Sequence, residues 1–210
     1  MTKSINNIKF FHTPNLVRKL YDSLIWSVPI SDNTVFLTFD DGPNEEITTY
    51  ILDRLKALNW TATFFCVGEN VRKNPKLFQR ILDEGHTVGN HTDNHANGWK
   101  TKQKEYLNSI SKANKVIPSS LFRPPYGKIP RKLIKEISKD YKIVMWSFMA
   151  YDFDKRISHD VILQKAQKHI IQGSIIVLHD NEKFIQNEKA VFEIIVSVLQ
   201  EKGLKSKALN

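Results

Sequence analysis

The stretch LTFDDGP, residues 37–43, decides how this chain is read. Residues 34–39 (TVFLTF) are mostly β-branched or aromatic, the composition of a buried strand, and the run ends in two aspartates and a Gly-Pro breaker. Taken alone, Asp-Asp-Gly-Pro is an ordinary turn. Adjacent side chains on a strand point to opposite faces, but where the strand breaks at Gly42 and Pro43 both carboxylates can turn toward one pocket. That reading gains weight only if other strands deliver polar chemistry to the same end.

Working outward, further candidate strands cover residues 61–67, 86–89, 120–122, 142–146, 174–178 and, weakly, 204–209, giving about seven in all. Between them lie segments of helical period. Residues 45–58 carry Ile47, Ile51, Leu55 and Leu58 on one face, and residues 75–84 carry Leu77, Phe78, Ile81 and Leu82. Residues 102–117, 130–139, 158–171 and 188–202 follow the same pattern. Strand then helix, repeated with short connections, implies parallel strands with right-handed crossovers, in an α/β sheet that is either open or closed into a barrel. No repeat, low-complexity tract or Pro/Gly-rich linker divides the chain, so one domain is expected, with residues 1–30 an irregular or helical lead-in to it.

Composition narrows the function classes. With 210 residues, 41% hydrophobic and 25% charged, the chain can bury a sizeable core without disulfide or metal staples and carries no signature of disorder. A net charge of +9 favours polyanionic neighbours. The lysines are scattered along predicted helices rather than massed in a block, so nucleic-acid binding is not expected. Cys66 is the only cysteine and sits in the apolar run ATFFCVG, where it reads as a small buried hydrophobe. No apolar stretch has the length of a signal peptide core or a membrane span, so a cytoplasmic location is expected, compatible with peripheral association with the envelope.

The predicted strand ends supply the chemistry. After the first come Asp40 and Asp41; after the third, His91 and His95 in NHTDNH; after the fourth, Arg123 and Tyr126 in FRPPYG. After the fifth comes Asp152 in WSFMAYDFD, and after the sixth His179 and Asp180 in VLHD. In parallel α/β folds the loops beyond the carboxyl ends of the strands converge on one face, so these groups belong to one site. Two histidines four residues apart can reach one ion if the segment turns helically, and one carboxylate completes a two-His, one-Asp set with open positions. Such an ion makes hydrolysis accessible by lowering the pKa of bound water and polarising a carbonyl, with a nearby carboxylate as base and a histidine as acid. His12, His86, His159 and His169 have no comparable setting and read as structural or surface groups.

These motifs, in order and spacing, resemble the polysaccharide deacetylases of the NodB-homology type, a carbohydrate esterase family that removes N- or O-acetyl groups from sugars. TFDDGP (38–43), HTDNH (91–95), RPPYG (123–127), WSFMAYDF (146–153) and VLHD (177–180) carry the resemblance, which spans residue 34 to the carboxyl terminus. It implies a distorted (β/α) barrel of about seven strands, with residues 31–210 as the catalytic domain. It further implies that Asp41, His91 and His95 hold a divalent metal, zinc in the first place, with cobalt or another first-row ion as alternatives. Asp40 would be the general base, held ionised by Arg123. His179 would be the general acid, oriented by Asp152, and the backbone N–H of Tyr126 would stabilise the oxyanion. The implied reaction is attack of metal-activated water on an acetamide, releasing acetate and a free amino sugar from a peptidoglycan- or chitin-like glycan.

Leu178 is expected to wall a pocket for the acetyl methyl or to be a core residue, and Trp99, Phe148 and Phe184 to stack on sugar rings or to be core. Two positions depart from the family pattern: Phe153 follows Asp152 where tryptophan is common, and Ser147 stands where many relatives carry an acid. Three other readings compete: a deacetylase of a small cytoplasmic or lipid-linked sugar precursor, an inactive glycan-binding module, and a non-haem iron oxygenase. The module predicts a missing ligand, base or acid, and none is missing. The oxygenase fits an all-β scaffold better than this α/β pattern.

Overall fold

A computed structural model describes residues 9–183 and 185–210. In chain order the elements are α1 (Asn15–Leu20), β1 (Thr34–Asp40), α2 (Ile47–Leu58), β2 (Thr63–Cys66), α3 (Gly68–Lys73), α4 (Pro75–Asp83), β3 (Thr87–Asn90) and α5 (Gln103–Asn114). They continue with β4 (Leu121–Phe122), α6 (Arg131–Ile137), β5 (Lys142–Ile143), β6 (Phe148–Met149), α7 (His159–His169), β7 (Ile175–His179), α8 (Ile185–Glu201) and β8 (Lys205–Ser206).

The strands run in the order β5-β4-β3-β2-β1-β7-β6, with β8 pairing to β1, and every pair is parallel. The sheet curls into a partial (β/α) barrel that is open between β5 and β6. The lead-in fills this gap. Ile25 brackets Val144, donating its N–H to Ile143 O and accepting Met145 N–H, while Thr13 N–H reaches Ser147 O and Met149 N–H reaches Phe11 O. Backbone groups that two sheet edges would leave bare are thereby paired.

β1 is buried at all seven positions, as a central parallel strand covered on both faces should be. Alternation sorts its side chains. Val35, Leu37 and Phe39 pack outward with Ile51, Leu55, Phe192 and Ile195 of the helical layer, whereas Phe36 faces the barrel interior with Phe65, Val144 and Ile175. Asp40 and Thr38 share the inward face with Phe36. β7 repeats the pattern in register, Asp40 opposite His179 and Phe39 opposite Leu178. Leu178 therefore packs into the outer core and does not wall the acetyl pocket. Phe148 is also core, fully buried against Phe11, and is unable to meet a sugar. Phe184 lies outside the described residues.

The strand expected over 142–146 is shorter, β5 covering only Lys142–Ile143, and a further short strand, β6, follows beyond it. β5 ends at Ile143 and the chain crosses the gap before β6, so Asp152 follows the sixth strand rather than the fifth. Ser147 sits in this crossing, accepting Ile175 N–H at 3.1 Å and donating to Ile175 O at 3.3 Å, which ties it to β7. Cys66 is buried and free, with its thiol pushed up by burial, as a structural cysteine should be.

Candidate active site and metal centre

Asp40, the last residue of β1, faces Arg123, which follows β4. Arg123 is fully buried, and its guanidinium is satisfied at every corner. Nη1 donates to Asp40 Oδ1 and to Thr38 Oγ1, both at 2.7 Å; Nε donates to Val144 O at 3.2 Å and Nη2 to Met145 O at 3.0 Å. The Phe65 ring lies 4.1 Å from the guanidinium carbon. The carbonyls come from the crossing between β5 and β6, so the interruption of the strand supplies acceptors that a continuous ladder would have consumed.

Asp41 leaves the strand in a left-handed conformation, φ 86°, which swings its side chain toward the same cleft as Asp40. Its loop is held from β7: Asp180 accepts Gly42 N–H at 2.9 Å and the Thr48 hydroxyl at 2.5 Å. A Cβ at Gly42 would fall 2.0 Å from Asp180 Oδ2, so this approach requires glycine. Burial pushes the Asp180 carboxyl well up, against the pull of its two hydrogen bonds.

His91 and His95 reach Asp41 from the loop after β3. The segment does not turn as a helix: Thr92 and His95 are left-handed, with φ of 64° and 54°. Asn90 Oδ1 accepts Thr92 N–H and Thr92 Oγ1 accepts Ala96 N–H, so the short polar residues within the motif brace the loop in place of helical bonds. His91 Nδ1 donates to Arg123 O at 2.7 Å, leaving Nε2 with a free lone pair. Burial brings His91 down to about 4, the carboxylates opposing, so the ring is neutral at neutral pH. His91 Nε2 and His95 Nε2 stand 3.6 and 3.1 Å from Asp41 Oδ1. That oxygen is buried and has no hydrogen-bond partner among the described residues, while Oδ2 accepts from Asn181 at 3.1 Å.

The donor atoms of Asp41, His91 and His95 lie within 4.8 Å of one another. A neutral imidazole with a fixed tautomer, a second imidazole and an orphaned buried carboxylate oxygen fit a divalent first-row ion. Burial would raise the Asp41 carboxyl, but the imidazoles of His95, His179 and His91 outweigh it and hold it well below the usual carboxylate range.

Across the cleft His179, the last residue of β7, is clamped by Asp152. Oδ1 lies 2.8 Å from His179 Nδ1, and Oδ2 accepts the His179 backbone N–H at 2.6 Å. Asn187 of α8 donates to the Asp152 carbonyl and so fixes the loop. Burial alone would lower the His179 pKa; Asp152 first, then Asp41 and Asp40, overcome it and raise the ring to about 10. Phe153, at the departing position, presents its ring edge-on to His179 with centroids 4.9 Å apart.

The cleft joining these groups has a volume of about 750 Å³ and is lined by Asp40, Asp41, His91, His95, Tyr126 and His179 among others. Tyr126 occupies the Pro125–Gly127 turn in a left-handed conformation, φ 60°, with its ring 4.5 Å from that of His95. Trp99, expected as a pocket residue, does not line the cleft itself; it is exposed beside Lys128, which does. The structure thus gathers Asp40, Asp41, His91, His95, Arg123, Tyr126, Asp152 and His179, and excludes Leu178. Sequence reasoning gave no role to Asp180, Asn181 or Asn187. The Asp after His179 was visible, but its partner Gly42 is distant in sequence.

Comparison with known proteins places the chain beside glycan deacetylases. The family model described as polysaccharide deacetylase matches residues 27–145. A peptidoglycan-N-acetylglucosamine deacetylase of Bacillus cereus is 37% identical, over 86% of this chain and 68% of that protein. The peptidoglycan-N-acetylglucosamine deacetylase PgdA of Listeria monocytogenes is 35% identical over 73% of this chain, which spans only 34% of that longer protein. Among solved structures, the Bc1960 peptidoglycan N-acetylglucosamine deacetylase in complex with 4-naphthalen-1-yl-N-oxidanyl-benzamide has a TM-score of 0.82 at 35% identity, covering 94% of this chain and 95% of that one.

Proposed function

Since the chain belongs to the polysaccharide deacetylase family and is a carbohydrate deacetylase acting on amides, we propose that it removes N-acetyl groups from amino sugars of a peptidoglycan- or chitin-like glycan, with Asp40 as base and His179 as acid. The observation that carries the division of labour is the pairing of each group. Asp40 is bonded to a cation and His179 to an anion, the two standing in register on adjacent strands beside the Asp41, His91 and His95 cluster.

Asp41, His91 and His95 would hold the divalent ion, zinc in the first place. When bound, such an ion supplies a water of lowered pKa and polarises the acetyl carbonyl. Asp40 takes a proton from the attacking water as the new C–O bond forms. The Tyr126 backbone N–H donates to the oxygen that gains charge. His179, protonated because its pKa is raised to about 10, gives its proton to the amide nitrogen as the C–N bond breaks. Acetate and a free amine leave. Asp152 keeps the proton-bearing Nε2 of His179 turned toward the cleft by holding Nδ1.

The test is product analysis on a panel of N-acetylated glycans: N-acetylglucosamine oligomers, glycan strands of peptidoglycan, and a nucleotide- or lipid-linked amino sugar. Appearance of free amino groups on polymeric substrates supports the reading, conversion of the precursor alone moves it to the small-substrate alternative, and no conversion of any overturns it.

A further inference from the structure

On the His95 side the cleft ends in an ordered row of rings and one cation. The Tyr126 ring packs 4.5 Å from His95. Lys128 Nζ stands 5.9 Å from the Tyr126 ring and 5.5 Å from the Trp99 ring, so the ammonium bridges two aromatic faces. Both rings face water: Trp99 is 67% exposed and Tyr126 59%. Large aromatic side chains left in solvent beside a catalytic cleft have an unspent apolar face.

The row is built rather than incidental. A Cβ at Gly98 would fall 2.4 Å from Lys128 O and 3.2 Å from the Tyr106 ring, so the loop bearing Trp99 is pressed directly onto the backbone of Lys128. Gly127, at φ 65°, lies over the Trp146 ring, where a Cβ would be 2.6 Å from the nearest carbon. These close approaches fix the spacing of Trp99, Tyr126 and Lys128. Lys128 is half-buried and has no ion pair among the described residues. The other charges on the cleft rim, Lys73 and Lys183 against Glu69 and Glu182, are exposed and balance in number. The unbalanced charge at this end is therefore the Lys128 ammonium, positioned over rings and without a carboxylate.

We propose that Trp99, Tyr126 and Lys128 form a subsite for the sugar beyond the reacting one, and that it favours a glycan bearing carboxylates over a neutral one. The inference rests on the glycan deacetylase reading above and names the substrate class of that site. The rings take the apolar face of a sugar, and the ammonium takes a carboxylate carried on the sugar or on a substituent of it.

The test compares three substrates: acidic glycan strands of peptidoglycan freed of their peptides, the same strands with carboxyls converted to neutral methylamides, and neutral N-acetylglucosamine oligomers. Strands that keep their peptides form a fourth arm, separating sugar carboxylates from peptide ones. For the native protein, kcat/KM on the acidic strands is expected to exceed that on the methylamide strands by about 3–10-fold, through KM, and to fall with added salt. In Lys128→Met, which keeps the apolar stem, this ratio falls to about one and the salt dependence flattens. Trp99→Ala raises KM on acidic and neutral substrates alike. A native ratio near one, or a ratio unchanged in Lys128→Met, overturns the subsite while leaving the deacetylase intact. Absence of deacetylation on every arm overturns both.

Discussion

Arg123 Nη1 and Asp40 Oδ1 lie 2.7 Å apart with the arginine wholly shielded from water, so the carboxylate proposed as general base is held by a cation that has no other place to go. Burial lowers the Arg123 pKa and Asp40 works against it. Removing the arginine strands the Asp40 carboxylate and two main-chain carbonyls. Arg123→Met is expected to destabilise the fold by about 3–5 kcal/mol, and Arg123→Lys, which lacks the planar fork, by somewhat less. Urea unfolding measures both, and losses below ~1 kcal/mol would show that the pair is not a structural centre.

Asp152 is the largest of the influences that raise the His179 pKa, ahead of Asp41 and Asp40. The imidazolium contributes stability that is fully present below its unfolded value, near 6.5, and lost as pH rises through about 10. The proposed catalysis follows the same proton, since His179 would have to carry it to act as an acid. Asp152→Asn removes the charge, so the alkaline limb of the pH–rate profile moves down toward neutrality and kcat falls by about 10²–10⁴. An unmoved alkaline limb contradicts the assignment.

Glu188, in the first turn of α8, is a buried acid without a use in this chemistry. It is 1% exposed and neither carboxyl oxygen has a hydrogen-bond partner among the described residues. Burial, then the Asp152 charge, raises it from 4.5 to about 9. A carboxyl whose folded pKa exceeds its unfolded one costs stability increasingly as pH climbs between those two values. In the native protein stability should therefore drop by roughly 2–3 kcal/mol from this group between about pH 6 and pH 8, and Glu188→Gln should flatten that slope. Parallel slopes for the two proteins would place the proton elsewhere.

Metal binding should register in stability as well as in rate. Asp41, His91 and His95 are gathered in the fold and scattered in the unfolded chain, so zinc or cobalt at a hundredfold excess over Kd stabilises by about 2.7 kcal/mol. His95→Ala leaves two of the three donors and should lose most of the thermal shift on metal titration. An equal shift in that variant would move the ion to other ligands.

Much of this site was legible because its residues sit at strand ends, where parallel topology converts chain order into one convergent face. TVFLTF and SIIVL announce buried strands, and the Asp-Asp and His-Asp that follow them land in register across β1 and β7. The two-residue strands β4, β5 and β6 were harder to place, because so short a run carries no alternation to read. The six-residue α3 was missed for the same reason. The choice between pocket wall and core for Leu178 stayed open because strand parity, which puts it opposite in sense to His179, depends on knowing which face is interior. Asp180 and Glu188 were illegible as to role: one needs the distant Gly42 loop, and the other shows itself only through burial.

The most direct measurement is acetate release from N-acetylglucosamine oligomers by zinc-loaded protein, with and without chelator, beside Asp40→Asn. The account predicts release by the native protein, its loss on chelation and recovery on adding zinc back, and a fall of at least about 10²-fold in Asp40→Asn with metal affinity retained. Release that survives chelation, or an Asp40→Asn variant of undiminished rate, would contradict the division of roles between the two adjacent aspartates.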